Sequence, residues 1–181
     1  MSNMKQIIKL ITAVVLLLVL QVLPSMGYQK FNTTEIKLSV LPGLQFSLPR
    51  FQVKPGQQVN IVFNNTDNME HNLLIVNPGQ REKIVQKAMS MGSNGAKNNY
   101  IPNDSDVLCS IPVLRNGESQ TLTFKAPDKE GVYPYVCTFP GHGFIMYGAM
   151  YVSSSNTMPP IEKDKNVSPS RMKADASHVH H

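Results

Sequence analysis

Tyr135-Val136-Cys137-Thr138-Phe139-Pro140-Gly141-His142-Gly143-Phe144-Ile145-Met146 is the stretch on which the reading of this 181-residue chain turns. Cys137 closes an apolar run that starts at Val132, and Met146 opens another that reaches Val152. Pro140-Gly141 is a turn dipeptide between them. A strand, a tight loop and a second strand are expected. The loop presents a thiol, an imidazole and a thioether at intervals of five and four residues.

Outward from that loop, apolar residues recur with period two. Ile36, Leu38 and Val40 alternate, then Leu44, Phe46 and Leu48 follow a Pro42-Gly43 turn, with Pro49 interrupting at an edge or kink. After Lys54-Pro55-Gly56-Gln57 come Val59, Ile61 and Phe63; Leu73 to Val76 and Val107 to Ile111 are short apolar runs, and Leu122 and Phe124 follow Asn116-Gly117. About eight short strands in roughly 120 residues predict an all-β Greek-key β-sandwich. One stretch departs from alternation: Arg81 to Met91 places Ile84, Val85, Ala88 and Met89 on one helical face, and Gly92 and Gly95 end it. A single short inserted helix is expected there, then an irregular loop through Asp106.

Composition narrows the function. Hydrophobic residues at 41% and charged residues at 16% support a packed core and exclude wholesale disorder. Two cysteines cannot staple a small disulfide scaffold, and no paired Cys/His spacing of a zinc finger occurs. The formal charge of +5 falls to +3 without Lys5 and Lys9 (15 Lys+Arg against 12 Asp+Glu), and the remaining cations are scattered. No nucleic-acid partner is expected.

Residues 1–27 set Lys5 and Lys9 before an apolar run to Leu23, with Ser25-Met26-Gly27 after Pro24. That is the layout of a secretory signal peptide; the rival is an uncleaved anchor, since Ile7 to Leu23 spans 17 residues. Either way residues 28–153 form an exported domain, periplasmic or tethered outside the cytoplasmic membrane. Residues 154–181, rich in Ser, Pro and mixed charge, are expected to be a disordered tail. Its His178, His180 and His181 read either as weak metal capture or as solvated chain.

The body contains only His71 and His142, both at expected strand ends where side chains converge at one pole of a sandwich. Two imidazoles, the Cys137 thiolate and the Met146 thioether match the donor set of a blue-copper electron-transfer site. Cys109, inside Val107-Leu108-Cys109-Ser110-Ile111, reads as an inert small hydrophobe. A Cys137–His nucleophilic pair is the catalytic alternative, but no orienting acid or oxyanion loop accompanies it. Zinc rarely recruits a thioether.

Cys-Thr-Phe-Pro-Gly-His with Met four residues later resembles the ligand loop of azurin- and auracyanin-type cupredoxins, and Met69-x-His71-Asn72 is similar to their first-histidine segment. The resemblance covers about residues 34–153. It implies one type 1 copper ion held by His71, Cys137 and His142, with Met146 axial and the Glu70 carbonyl as a weak further contact. Azurin has glycine where Glu70 stands, and a disulfide that this chain lacks. The resemblance further implies that Asn72 ties its strand to Thr138. It also implies that Met69, Phe139, Pro140, Gly141, Gly143 and Phe144 surround the His142 edge with an apolar rim. The expected protein is a monomer that passes single electrons between transiently docked redox partners and is not an enzyme. A periplasmic copper carrier or store is the alternative, and a copper-free domain that keeps the fold is a third.

Overall fold

The computed structural model describes residues 3–4, 33–155 and 157–169. Apart from residues 3 and 4, the leader or anchor expected over residues 1–27 lies outside them. Two units are distinguished, Met1–Lys30 and Phe31–His181, and the second carries everything below. Among the described residues, no helix is long and apolar enough to cross a membrane.

Nine strands among the described residues form two sheets. They are β1 (Thr34–Leu41), β2 (Gln45–Phe46), β3 (Arg50–Val53), β4 (Gln58–Asn64), β5 (His71–Val76), β6 (Val107–Leu114), β7 (Ser119–Lys125), β8 (Gly131–Val136) and β9 (Tyr147–Val152). The four-stranded sheet runs β2-β1-β4-β7 and the five-stranded sheet β3-β9-β8-β5-β6. Both sheets are mixed: β1 lies parallel to β4, with Leu38 beside Phe63, and β3 lies parallel to β9, with Phe51 beside Met150. The expected β-sandwich is observed.

Period-two sequence becomes period-two burial. On β4, Val59, Ile61 and Phe63 point into the core while their neighbours stay half-buried. The core between the sheets also holds an aromatic cluster, in which Phe46 meets Phe63 and Tyr135 edge-on at 5.9 and 5.3 Å and Phe51 stacks on Tyr135 at 5.4 Å. β5 is the exception to alternation, being buried along its whole length. Its Leu73 and Ile75 join the inter-sheet core. Its Leu74 and Val76 face outward, where Ile84 and Val85 of helix α1 (Arg81–Met89) cover them. The inserted helix is thus the lid of a second small core.

Two expectations about elements need correction. The run Leu44, Phe46, Leu48 is not one strand: only Gln45–Phe46 stays with the first sheet, and the chain crosses to the second sheet as the unforeseen β3. Pro49 has no N–H to continue a ladder, so the chain changes sheet there; its carbonyl accepts the Ala149 N–H at 3.1 Å. Met89 is not on the buried helical face, which is Ile84, Val85 and Ala88; it is 46% exposed.

The tail expected to be disordered from residue 154 instead meets the domain at Asp164, Val167 and Ser168. Asp164 is buried, and its carboxylate takes Arg50 Nη1 at 3.0 Å, the Tyr151 hydroxyl at 2.7 Å and the Asn166 backbone N–H at 3.0 Å. Val167 is buried, and the Ser168 hydroxyl donates to the Ile145 carbonyl at 2.6 Å. Asp164 gives the segment a charged anchor and Val167 an apolar one, contacts that composition does not reveal. The histidines at 178, 180 and 181 lie outside the described residues.

Candidate metal centre

The ligand loop is built by its own backbone. The Cys137 N–H donates to the Met146 carbonyl at 3.1 Å, closing the loop where β8 ends and β9 is about to begin. Phe139-Pro140-Gly141-His142 forms a tight turn, closed by the His142 N–H on the Phe139 carbonyl at 2.9 Å. Gly141 occupies the left-handed region at φ 83°, the conformation a Pro-Gly turn of this kind demands at its third position. The His142 carbonyl then accepts the Met146 N–H at 2.8 Å, so Met146 returns to the core fully buried.

Helix α1 buttresses this loop. Gly143 is buried against Val85: a methyl group added at Gly143 would lie 2.5 Å from Val85 Cγ2 and 2.9 Å from the Cys137 carbonyl oxygen. Gly143 therefore lies beneath the helix and not on the apolar rim. Arg81 donates to the Gly143 carbonyl at 3.0 Å, with its guanidinium 3.9 Å over the Tyr147 ring. The Gly141 N–H points to the Met89 sulfur at 3.2 Å.

Three side chains converge at this pole, and all three are buried. His71 Nδ1 and His142 Nδ1 are 3.3 Å apart, and each lies close to Cys137 Sγ, at 3.7 and 3.6 Å. A point equidistant from the three atoms is about 2.0 Å from each, the length of a bond from imidazole nitrogen to a first-row divalent ion. The His71 ring donates through Nε2 to Asp67 Oδ2 at 3.1 Å. A carboxylate only accepts, so Nδ1 of that ring keeps its lone pair toward Cys137 and His142.

Burial decides the protonation of the metal-free site. It pushes the Cys137 thiol up to about 12, against the backbone N–H groups of Asn72 and Phe139. It pushes His142 down to about 4, with His71 nearby acting in the same direction. His71 is also lowered by burial, opposed by Asp67. Two bare imidazole nitrogens and a buried sulfur directed at one point are what a soft, thiolate-binding cation resolves.

Around the donors runs a hydrogen-bond network. The Asn72 side chain donates to Thr138 Oγ1 at 2.9 Å and accepts from the Thr138 N–H at 2.7 Å. Asn72 also donates to the Asn99 carbonyl, and the Thr138 hydroxyl donates to the Tyr100 carbonyl, both at 2.7 Å. Asn99 and Tyr100 are consecutive non-glycine residues at φ 54°. That uncommon pairing turns two successive carbonyls into the site. Asn65, fully buried, holds the first-histidine loop by donating to the Met69 and Leu114 carbonyls and accepting from the Asp67 N–H.

Of the residues expected at the site, His71, Cys137 and His142 are brought together, and Asn72 and Thr138 are hydrogen-bonded to each other beside them. Glu70 is half-exposed, with its carboxylate 3.5 Å from Arg115 Nε. Phe144 and Met69 are 55% and 44% exposed, Pro140 is exposed and Phe139 half-buried, its ring 5.0 Å from that of His142. His142 is only 6% exposed. Cys109 stays apart as a thiol that burial pushes up to about 12. Asp67, Asn99, Tyr100, Arg81 and Ser168 were not foreseen. Only Asp67 left a signal, standing four residues before His71.

A mixed β-sandwich with an imidazole–imidazole–thiolate triangle at one pole is the architecture of a cupredoxin. The chain belongs to the plastocyanin/azurin family of copper-binding proteins, whose model matches residues 32–153. Copper is therefore its cofactor, and His71, Cys137 and His142 are arranged to hold it. The chain is 35% identical to auracyanin-A of Chloroflexus aurantiacus over 114 residues, which are 61% of this chain and 68% of that protein. It is 29% identical to azurin of Pseudomonas aeruginosa over 123 residues, 67% of this chain and 76% of azurin. The solved auracyanin A of Chloroflexus aurantiacus superimposes with a TM-score of 0.60 at 32% identity, covering 67% of this chain and 99% of the other.

Proposed function

We propose that this protein is an exported type 1 copper protein that shuttles single electrons between redox partners, cycling Cu(II) and Cu(I) at a His71–Cys137–His142 site. The buried Met146 would offer a thioether to the same ion, and the Glu70 carbonyl is the candidate for a weak further contact. The observation that carries this reading is the near-equilateral donor triangle, closed by side chains that the protein's own hydrogen bonds hold in place. A site fixed by its scaffold changes little between oxidation states, which suits electron transfer better than release of a cargo ion. The similar auracyanin A is described as a "blue" copper protein. A similar protein of Neisseria gonorrhoeae, 30% identical over 113 residues, is outer membrane protein H.8; it supports export, as does the leader pattern of residues 1–27.

Electrons pass through the His142 edge beneath an apolar rim of Met69, Phe139, Pro140 and Phe144. A rim of that size suits the small interfaces of transient redox encounters. The protein works as a monomer with no substrate to transform, and so is not an enzyme. Titration with Cu(II) tests the reading: an intense visible charge-transfer band must appear at one equivalent and vanish in Cys137→Ser. Repeated one-electron cycling must then retain the metal. Loss of copper on reduction identifies a carrier or store instead.

A further inference from the structure

The geometry points to Asp67 as a positioning and potential-setting residue: its carboxylate, acting through the His71 ring, stabilises the oxidised form of the site. The inference rests on the proposed one-electron copper function.

Asp67 is held by contacts on both its backbone and its side chain. Its N–H donates to Asn65 Oδ1 at 3.0 Å, and its carbonyl accepts from Asn116 Nδ2 at 2.8 Å. Its Oδ1 accepts the Asn68 N–H at 2.8 Å, which aims Oδ2 at His71 Nε2, 3.1 Å away. The far nitrogen of the same ring, Nδ1, is the one in the donor triangle. Carboxylate, imidazole and metal position thus form a line in which the carboxylate fixes the ring's tautomer and orientation and raises the basicity of the ligating nitrogen.

Two consequences follow from charge alone. The Asp67 side chain is about one-fifth exposed while the His71 ring is fully buried, so the charge reaches the site through a ring shielded from water. A negative charge there favours the dipositive over the monopositive ion, and a more basic nitrogen favours the harder, oxidised metal. Reduction adds one electron to the metal, and the Nε2 proton stays between His71 and Asp67. His142 has no such carboxylate contact among the described residues, so the two imidazoles are electronically unlike. The buried ring bears the charge-stabilised bond and the ring nearer the surface does not.

Asp67→Asn tests this in the copper-loaded protein, because the amide oxygen can still accept from Nε2 while the charge is gone. The expected result is an intact visible band with about a tenfold fall in the ratio of Cu(II) to Cu(I) affinity, read as a potential about 59 mV higher for one electron. Asp67→Ala should raise the potential at least as far. It should also remove the slowly exchanging His71 Nε2–H resonance from the proton spectrum of the reduced protein. A purely structural role predicts the wild-type potential in Asp67→Asn; that outcome, with the band intact, overturns the proposal. A wild-type protein that never develops the band fails the copper reading itself, a result distinct from either.

Discussion

Loading the metal-free protein with a thiolate-binding ion should release one proton per ion between pH 7 and 8. With the Cys137 thiol raised to about 12, it is protonated across that whole range. With His142 lowered to about 4 and His71 lowered from its ordinary 6.5 by burial, both imidazoles are mainly neutral there. Binding must therefore expel the thiol proton and nothing else. The apparent affinity rises about tenfold from pH 7 to 8. Below about pH 4 the His142 proton is expelled as well, and the dependence steepens. Calorimetric titration in two buffers of different ionisation enthalpy counts the protons directly, with Cu(II) and with redox-inert Zn(II) as a check on thiol oxidation. Zero protons would mean that the thiolate is preformed and that the two N–H groups on the sulfur outweigh burial. Two at pH 7 would mean that an imidazole carries a proton in the metal-free site. Either count refutes the reasoning.

The metal-free fold should be acid-sensitive. His142 takes a proton near 6.5 when unfolded but only near 4 when folded, so stability is full above pH 6.5, declines as pH falls toward 4 and then levels off. Denaturant midpoints between pH 7 and 4 should fall for the metal-free protein, and further for the copper form, whose metal affinity also drops with pH; a flat profile for the metal-free protein contradicts the assignment. Asp164→Ala leaves Arg50 and Tyr151 without their buried partner and should cost about 3 kcal/mol, lowering the thermal midpoint by roughly 10 °C. An unchanged midpoint would show that residues 157–169 are not docked in solution. Gly143→Ala drives a methyl group into Val85 and the Cys137 carbonyl, and should weaken copper affinity and shift the visible band. Val85→Ala in the same chain should restore much of both, and failure to do so would locate the strain elsewhere.

The ligands were legible because their chemistry is rare and their spacing local. Cys137, His142 and Met146 sit on one loop, and His71 is the only other histidine of the body. The β-sandwich was legible because strands such as β4 show alternate residues to the core. Long-range geometry was not legible. Asn99 and Tyr100 act through backbone carbonyls, which any residue possesses, so nothing in their identity marks the role. β3 was hidden because a proline that ends one strand can also be the point where a chain changes sheet. The segment 157–169 reads as linker by composition, yet one buried carboxylate and one buried valine seat it on the domain.

Helix α1 meets the ligand loop at three places: Arg81 at the Gly143 carbonyl, Val85 where a Gly143 side chain would stand, and Met89 at the Gly141 N–H. The loop and the helix consequently share one lifetime. Opening the loop to water requires those three contacts to part, along with the small core that α1 forms over β5. The free energy of that local opening, not of separating the two sheets, limits how long an ion stays in place. Retention of the metal on heating is then governed by a nine-residue helix that contributes no ligand of its own.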